Sequence, residues 1–458
     1  MSVTTYARRL GLFDGTMVVI GGIIGAGIFL NPAIVAQRLS TTGWILAAWI
    51  AGGVIAVLGA LCFAELGARR PQAGGGYVYL RDALGPLAAF LYGWTLLLVI
   101  GSGAIAAVAV TFARYAVDLL HLAPAAVNPL AICAILLLTG VNYVGVRSGS
   151  TTQNVFTVLK LLALAALIAV SAAAAFGLVG GGAPRVSQAP AAAAPGGIAM
   201  IGAFGAALIP ILFSYGGWQQ ANMIAEEIVE PRRNLPRALL LGVAAVVAAY
   251  VLANVAYLAT LGPWRLSRSL APASDTMRAV LGPWGGTLIA AGIVASTFGF
   301  LNLVILVSPR VYQAMADDGL FFGWAARLHP RFRTPSGALL FQAAWSIVLL
   351  LSGTYGQLLD YVVFGDWIFF GLVVSTMFVY RRREARAGAG EAGAGVPPAA
   401  GYRAWGYPVT PALFVLAALY VVGSSVASNP HNAAVGALLL AVGVPVFLFW
   451  RARGARLE

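Results

Sequence analysis

Long runs without a charged residue constrain this chain more than any other feature of its sequence. A helix needs about 20 mostly apolar residues to cross the hydrocarbon core of a bilayer. Nine charge-free runs reach that length, at 15–37, 39–64, 83–113, 119–146, 161–184, 186–225, 238–264, 279–309 and 334–359. Each run predicts one membrane-spanning helix.

Two further segments complete the set of predicted spans. Residues 355–380 carry Asp360 and Asp366 but are otherwise apolar, which predicts a tenth span. Residues 404–450 are too long for one helix, and Asn429-Pro430 is a turn signal that divides them into two. The sequence therefore predicts an all-α integral membrane protein with twelve transmembrane helices.

Composition supports this fold class and excludes another. Of the 458 residues, 60% are hydrophobic and only 9% are charged, against about 25% charged in soluble domains. A net charge of +13 alone would favour a nucleic-acid partner. With so few charges the chain could not cover a soluble surface, so we expect a lipid bilayer as its partner and no nucleic acid.

The arginines set the expected orientation. The chain has 27 Arg and a single Lys, Lys160. Alternating the loops between the two sides places 21 Arg on one side and six on the other. The richer side is the cytoplasmic one in membrane proteins, which predicts a cell-membrane protein with both termini in the cytoplasm.

Two spans contain helix breakers at mid-depth. Span 1 holds the glycine-rich run 21–29, and span 6 holds 213–218, with Gly216 and Gly217. Each glycine costs about 1 kcal/mol in a helix interior, and close helix packing is one explanation for it. The two runs occupy equivalent positions in two groups of five spans, which is typical of a transporter's central site.

An interrupted helix suits a zwitterion. The half-helix that starts after the break offers free N–H groups and a positive dipole end to a carboxylate. The carbonyls of the other half suit an ammonium group. Neither run contains Asp, Glu, Lys or Arg, which predicts a neutral amino acid as substrate.

These residues resemble a known family. Residues 22–29 resemble the first-span signature of the amino acid–polyamine–organocation superfamily, and 213–218 look like the sixth-span signature of its L-type amino-acid transporter branch. Residues 63–67, 74–80, 226–227 and 231–237 also match. The resemblance implies a leucine-transporter-type fold with helices 1 and 6 discontinuous. Its two inverted five-helix repeats would be residues 1–181 and 182–386, with two further helices in 387–458.

The resemblance also assigns roles around the breaks. Gly25, Ala26 and Gly27 would present N–H groups to the substrate carboxylate. Ile24 and the Phe213–Ser214 carbonyls would receive the α-amino group of the substrate. Gly216 and Gly217 would leave room for its side chain, and the Phe213 ring would act as an aromatic gate over the site. A span-7 tyrosine of the branch falls on Tyr250, for which ordinary packing is the alternative.

Lys160 lies in span 5, and snorkelling toward the interface is the simplest interpretation of it. An ionisable group inside the membrane is also a functional candidate. In similar sodium-independent transporters a lysine here places its amine where sodium-coupled relatives bind an ion. Ser296 and Thr297 in span 8 could be sodium ligands, but a cation beside an ammonium would be repelled. We therefore expect no sodium coupling and no bound metal, with these hydroxyls bonding Lys160 or packing.

The resulting functional prediction is a sodium-independent secondary transporter of small neutral L-amino acids that works by alternating access. Exchange is the preferred mode, and proton symport is the alternative. An intramembrane enzyme built on Asp360 and Asp366 lacks the full protease pattern, and a channel or receptor lacks a filter or ligand domain. No cofactor is expected.

Two departures from the family pattern bear on partners and gating. The loop 117–127 has no cysteine, and Cys62 and Cys133 fall inside spans, which predicts no disulfide-linked ancillary subunit. Asp317-Asp318 stands where the family usually has an Arg followed by an acidic residue. The contacts of that segment could not be carried over from the resemblance.

Overall fold

A computed structural model describes residues 6–179, 197–352, 355–388, 401–428 and 430–454. Over these ranges the secondary structure is helical, apart from one isolated bridge between Leu10 and Ile228. The helices in chain order are α1 (Leu12–Ile23), α2 (Gly27–Arg38), α3 (Thr42–Arg69), α4 (Gly76–Leu84), α5 (Pro86–Thr95), α6 (Gly101–Leu119), α7 (Val127–Tyr143), α8 (Val146–Ala175), α9 (Ile198–Tyr215), α10 (Gln220–Met223), α11 (Pro231–Arg268), α12 (Pro272–Leu281), α13 (Pro283–Val307), α14 (Pro309–Asp317), α15 (Ser336–Leu351), α16 (Tyr355–Gly388), α17 (Val409–Ser428) and α18 (Pro430–Gly454).

Nine helical stretches of the described chain are long and apolar enough to cross a membrane. They are Leu12–Arg38, Thr42–Arg69, Pro86–Leu119, Pro124–Tyr143, Val146–Ala175, Pro231–Arg268, Pro283–Asp317, Val409–Ala427 and Ala433–Arg453. Ala199–Tyr215 and Ser336–Leu351 are shorter apolar helices, and α16 is 34 residues long. The all-α membrane fold predicted from the charge-free runs is confirmed.

Both predicted helix breaks are present. In the first span α1 ends at Ile23 and α2 begins at Gly27. In the sixth, α9 ends at Tyr215, and Gly217 has a positive φ of 109° before the short helix α10. Glycine adopts that backbone conformation without the steric cost that a Cβ would impose, so the sequence breaks the helix there.

A matching pair of corners appears in the two halves of the chain. The short helix α4 is followed by Gly85, with φ of 97°, and Pro86 then begins α5. The short helix α12 is followed by Gly282, with φ of 69°, and Pro283 begins α13. Proline suits the first position of a helix because its ring fixes φ and its missing N–H needs no partner there.

Buried ion pairs join the ends of several helices. Glu65 at the end of α3 accepts hydrogen bonds from the guanidinium groups of Arg69 and Arg381 and from the Ala404 backbone N–H, at 2.7–2.9 Å. The Nε of Arg310 in α14 lies 2.9 Å from Oε1 of Glu227, and both side chains have no exposed surface. Removing one partner of such a buried pair would leave an uncompensated charge, which is strongly destabilising.

The unusual Asp317-Asp318 run makes contacts of its own. Asp318 accepts a hydrogen bond from the Tyr77 hydroxyl at 2.8 Å and from Arg81 Nη1 at 3.0 Å, which joins the end of α14 to α4. Burial and the neighbouring Asp318 carboxylate raise the pKa of Tyr77, so its hydroxyl keeps the proton that it donates. Asp317 accepts from Gln313 one turn earlier.

Candidate functional site

Lys160 connects α8 to the break in the first span. Its side chain is completely buried, and Nζ donates hydrogen bonds to the Gly21 oxygen at 3.0 Å and the Ile24 oxygen at 2.6 Å. These carbonyls lie at the C-terminal end of α1, where the helix dipole favours a positive charge. Because the amine points at the break and has no exposed surface, Lys160 does not snorkel.

The two predicted hydroxyl partners of Lys160 behave differently. Ser296 Oγ lies 3.4 Å from the Ile24 oxygen and 3.2 Å from the Gly25 oxygen, so it shares an acceptor with Lys160. Thr297 Oγ1 donates to the Ile293 oxygen at 2.8 Å, within its own helix. Ser296 therefore supports the break directly, whereas Thr297 satisfies its hydroxyl locally.

A cavity of about 310 Å³ lies between the two breaks and is also lined by residues of α6, α13 and α16. Its lining includes seven residues of the predicted site: Gly25, Ala26, Gly27, Phe213, Ser214, Gly216 and Gly217. The other predicted residues, Ile24, Tyr250, Lys160, Ser296 and Thr297, are not part of the lining. Lys160, Tyr250 and Ser296 contact the first break from behind the cavity wall, whereas Ile24 belongs to the break itself and Thr297 bonds within its own helix.

Glycine is required where the two breaks approach one another. A Cβ placed on Gly27 would lie 2.7 Å from Ser214 Oγ, and one on Gly217 would lie 2.0 Å from the Gly22 oxygen. The packing explanation holds at Gly21, where a Cβ would lie 2.0 Å from Gln153 Nε2. Close packing and the broken helix thus both contribute to the glycine-rich run.

The backbone groups of the first break agree only in part with the predicted roles. Ala26 is the N-cap of α2 and has no side-chain cap, so the first N–H groups of that helix point away from any intrahelical acceptor. The Gly25 N–H, by contrast, donates to the Ile23 oxygen at 2.9 Å. Of the three predicted carboxylate donors, the Gly25 N–H is thus already engaged within the break.

The Ile24 carbonyl, predicted to receive the α-amino group, already takes part in one strong hydrogen bond. It accepts from Lys160 Nζ at 2.6 Å, while the Ser296 hydroxyl lies nearer the Gly25 oxygen, at 3.2 Å, than the Ile24 oxygen, at 3.4 Å. The Phe213 oxygen accepts one bond, from the Gly216 N–H at 3.2 Å, which leaves a lone pair for a substrate. Of the two predicted acceptors, the Phe213 carbonyl is the one that lines the cavity.

Tyr250 braces the break and does not enter the cavity. Its hydroxyl donates to the Ile23 oxygen at 3.0 Å, and its ring is buried against Trp49 and Tyr215. Further along the same helix, the Tyr257 hydroxyl donates to the Ile28 oxygen at 3.2 Å. The two tyrosines of α11 therefore hold the backbone on either side of the break, a role that sequence reasoning gave to neither.

Comparison with known proteins identifies the family. Residues 10–449 match the family described as amino acid permease. The chain belongs to this family. It is a transmembrane amino-acid transporter of the amino acid–polyamine–organocation superfamily, and not an enzyme.

Two curated relatives cover most of the permease. It is 34% identical over 385 residues to the b(0,+)-type amino acid transporter 1 of Mus musculus, which covers 83% of this chain and 77% of the relative. It is 32% identical over 458 residues to the large neutral amino acids transporter small subunit 2 of Homo sapiens, which covers 97% and 81%. The resemblance seen in the sequence motifs is thereby confirmed.

The cavity of the permease also holds polar residues that the motifs did not indicate. Asn31 Nδ2 donates to the Pro210 oxygen at 2.9 Å and to Ser214 Oγ at 2.8 Å, which joins α2 to α9. Gln219 Oε1 accepts from the Gly217 N–H at 3.0 Å. In the sequence, Asn31 and Gln219 are distinguished only as polar residues inside charge-free runs.

The two aspartates considered for an intramembrane enzyme, Asp360 and Asp366, both belong to α16. Asp366 lines the cavity, while the side chain of Asp360 lies outside the described part of the structure. Phe213, the predicted gate, lines the cavity with 42% of its side chain exposed. It is therefore positioned to contact whatever occupies the space between the breaks.

Proposed function

We propose that this permease is a sodium-independent exchanger of neutral L-amino acids that works by alternating access. The observation that carries the proposal is the meeting of the two helix breaks across one cavity. The N–H groups of Ala26 and Gly27 offer a carboxylate site, and the Phe213–Ser214 carbonyls offer an ammonium site. The small glycine-lined space beside Gly216 and Gly217 suits side chains such as those of Ala, Ser, Gly or Val.

We propose a twelve-span topology in two inverted repeats, residues 1–181 and 182–386, with the last two helices in 387–458. The nine long apolar stretches, the two shorter ones and α16 together supply twelve candidates. The paired corners at Gly85-Pro86 and Gly282-Pro283 support the repeat, since each follows a short helix and begins a long one. The boundary at residue 181 lies outside the described residues.

Lys160 supports sodium independence. Its ammonium occupies the position beside Gly21 and Ile24 that a coupling cation would need. A second unit charge at 4 Å would be repelled by about 4 kcal/mol at an effective dielectric constant of 20. With Ser296 sharing the Ile24 carbonyl, we propose that Lys160 replaces the cation permanently in an exchanger, or carries the proton in a symporter.

The arginine distribution supports an orientation with both termini in the cytoplasm of the cell membrane. The human relative's name describes it as a small subunit. In this chain Cys62 is buried in α3, Cys133 faces outward from α7, and both are free. We propose that the permease works without a disulfide-linked partner.

Counterflow in proteoliposomes tests the proposed mode. Labelled alanine should enter vesicles loaded with unlabelled alanine at equal rates in sodium and choline buffers. It should not accumulate in empty vesicles. Accumulation in empty vesicles driven by an inward proton gradient would establish symport instead, and dependence on sodium would refute the role given to Lys160.

A further inference from the structure

We propose that an anionic phospholipid binds this permease where the end of α18 packs beside the start of α15. The surface consists of the 3₁₀ turn Gly323–Ala326 with its flanking residues 321–322 and 327–333, the first turns of α15, and residues 449–453 of α18. We call it the aromatic–arginine patch. None of these residues lines the transport cavity, so the proposal does not depend on what the cavity carries.

Aromatic rings hold the three segments of the patch together. The Trp450 ring of α18 lies 5.0 Å from that of Phe322, and the Trp324 ring lies 5.7 Å from that of Phe341 in α15. A Cβ on Gly337 would lie 2.8 Å from Trp324 Cε3, so the turn packs closely on the start of α15. The patch is therefore a packed surface, on which side chains of α15, α18 and the turn keep fixed relative positions.

The patch combines exposed rings with exposed aliphatic groups at the end of a membrane span. Phe322, Trp324, Leu340 and Phe449 are all exposed. The apolar stretch Ala433–Arg453 ends here. Tryptophan is enriched at the level of the lipid headgroups, with the aliphatic side chains of a span facing the acyl chains. The patch thus lies where one lipid could contact it with both its headgroup and its chains.

The arginines of the patch have no acidic partners. None of the ion pairs among the described residues includes an arginine of these segments. Five of them are exposed: Arg327, Arg331, Arg333, Arg451 and Arg453. The Arg453 guanidinium lies 5.9 Å from the centre of the Trp450 ring, which places a positive charge directly beside the aromatic cluster.

The sequence around the patch leaves this positive charge uncompensated. Residues 319–359 and 392–457 contain no Asp or Glu. Asp317 is connected to the turn through Gln313, which donates to its carboxylate and to the Ala326 oxygen. Several arginines without acids at the edge of a membrane span attract an anionic lipid headgroup.

The two halves of the patch select the ligand together. The arginine fork suits a phosphate group, to which it can donate two parallel hydrogen bonds. A free phosphate ion would use the arginines but not the exposed rings. A zwitterionic lipid would use the rings but would bring no net charge to the arginines. An anionic phospholipid satisfies both.

Phosphatidylglycerol and phosphatidylcholine with the same acyl chains provide matched probes. Each is titrated into the purified full-length protein, and bound lipid is counted by native mass spectrometry. The wild type should bind phosphatidylglycerol at least about tenfold more tightly than phosphatidylcholine, a difference of about 1.4 kcal/mol. In Arg451→Gln/Arg453→Gln the affinity for phosphatidylglycerol should fall at least about tenfold, while that for phosphatidylcholine stays the same.

Two further variants serve as controls. Arg451→Lys/Arg453→Lys retains both charges and should retain the preference for phosphatidylglycerol, which separates loss of charge from misfolding. Arg265→Gln/Arg268→Gln removes two exposed arginines at the C-terminal end of α11, where Arg268 lies 4.6 Å from the centre of the Trp264 ring. It should leave both affinities unchanged.

Three results would overturn the proposal. Equal affinity of the wild type for the two lipids would leave the arginines to a soluble acidic partner. Equal losses in the two glutamine variants would show attraction to positive charge anywhere on the protein. Binding of glycerol 3-phosphate as tightly as phosphatidylglycerol would show a site for free phosphate compounds instead of a lipid.

Discussion

Replacing Lys160 by methionine removes a charge from the first helix break with little change in side-chain length. The substitution eliminates the hydrogen bonds to the Gly21 oxygen at 3.0 Å and to the Ile24 oxygen at 2.6 Å. Hydrogen bonds from a charged donor contribute about 1.5–3 kcal/mol each, so the break loses about 3–6 kcal/mol of local support.

Overall stability should change by less than this sum. Burying an ammonium costs several kcal/mol, and methionine avoids that cost. The local loss falls on the conformation of residues 24–26, which the proposed mechanism requires for transport. At 1.4 kcal/mol per factor of ten, even the lower figure of about 3 kcal/mol corresponds to a decrease of roughly 100-fold in transport.

The assay is the initial rate of alanine counterflow, normalised to the amount of protein inserted in the vesicles. Leu162→Met on the same helix is the matched control, because the Leu162 side chain is 60% exposed on the outer face of α8. It should transport at the wild-type rate. Wild-type transport by Lys160→Met would refute both the cation-replacement and the proton-carrier role.

Two other predictions concern contacts that support the site. Arg310→Met leaves Glu227 buried without its partner and should destabilise the protein by about 3–5 kcal/mol, measured as a lower Tm; an unchanged Tm would contradict the buried pair. Tyr250→Phe loses one hydrogen bond to the Ile23 oxygen, worth about 1 kcal/mol, and should weaken alanine binding by less than about tenfold. Complete loss of binding would instead place the Tyr250 hydroxyl in contact with the substrate.

The helix breaks could be predicted because their cause is local. A run of glycines inside an apolar span is costly unless the backbone departs from the helix, and Gly217 shows that departure in its φ of 109°. Lys160 could be singled out in the same way, since it is one lysine among 27 arginines and stands at the start of an apolar run, where an ionisable group is a functional candidate. Its acceptors proved to be carbonyls of the first break.

The surroundings of several predicted residues depend on contacts between helices, which no local pattern encodes. The Ile24 oxygen is engaged because α8 brings the Lys160 ammonium to it. Tyr250 lies behind the break because of the face that α11 turns toward α1. The sequence places Asp366 in span 10, and whether it lines the cavity depends on the rotation of α16 about its axis.

The central claim is that amino acids bind where the two broken helices meet, and direct binding of labelled alanine to purified Gly27→Val protein tests it. The added side chain would begin 2.7 Å from Ser214 Oγ and 3.1 Å from Ser214 Cα, so it must separate the two breaks. Gly43→Ala is the control, because nothing lies within 4 Å of a Cβ at that position. We predict saturable binding to the wild type and to the control and none to folded Gly27→Val; unchanged affinity in Gly27→Val would contradict the account.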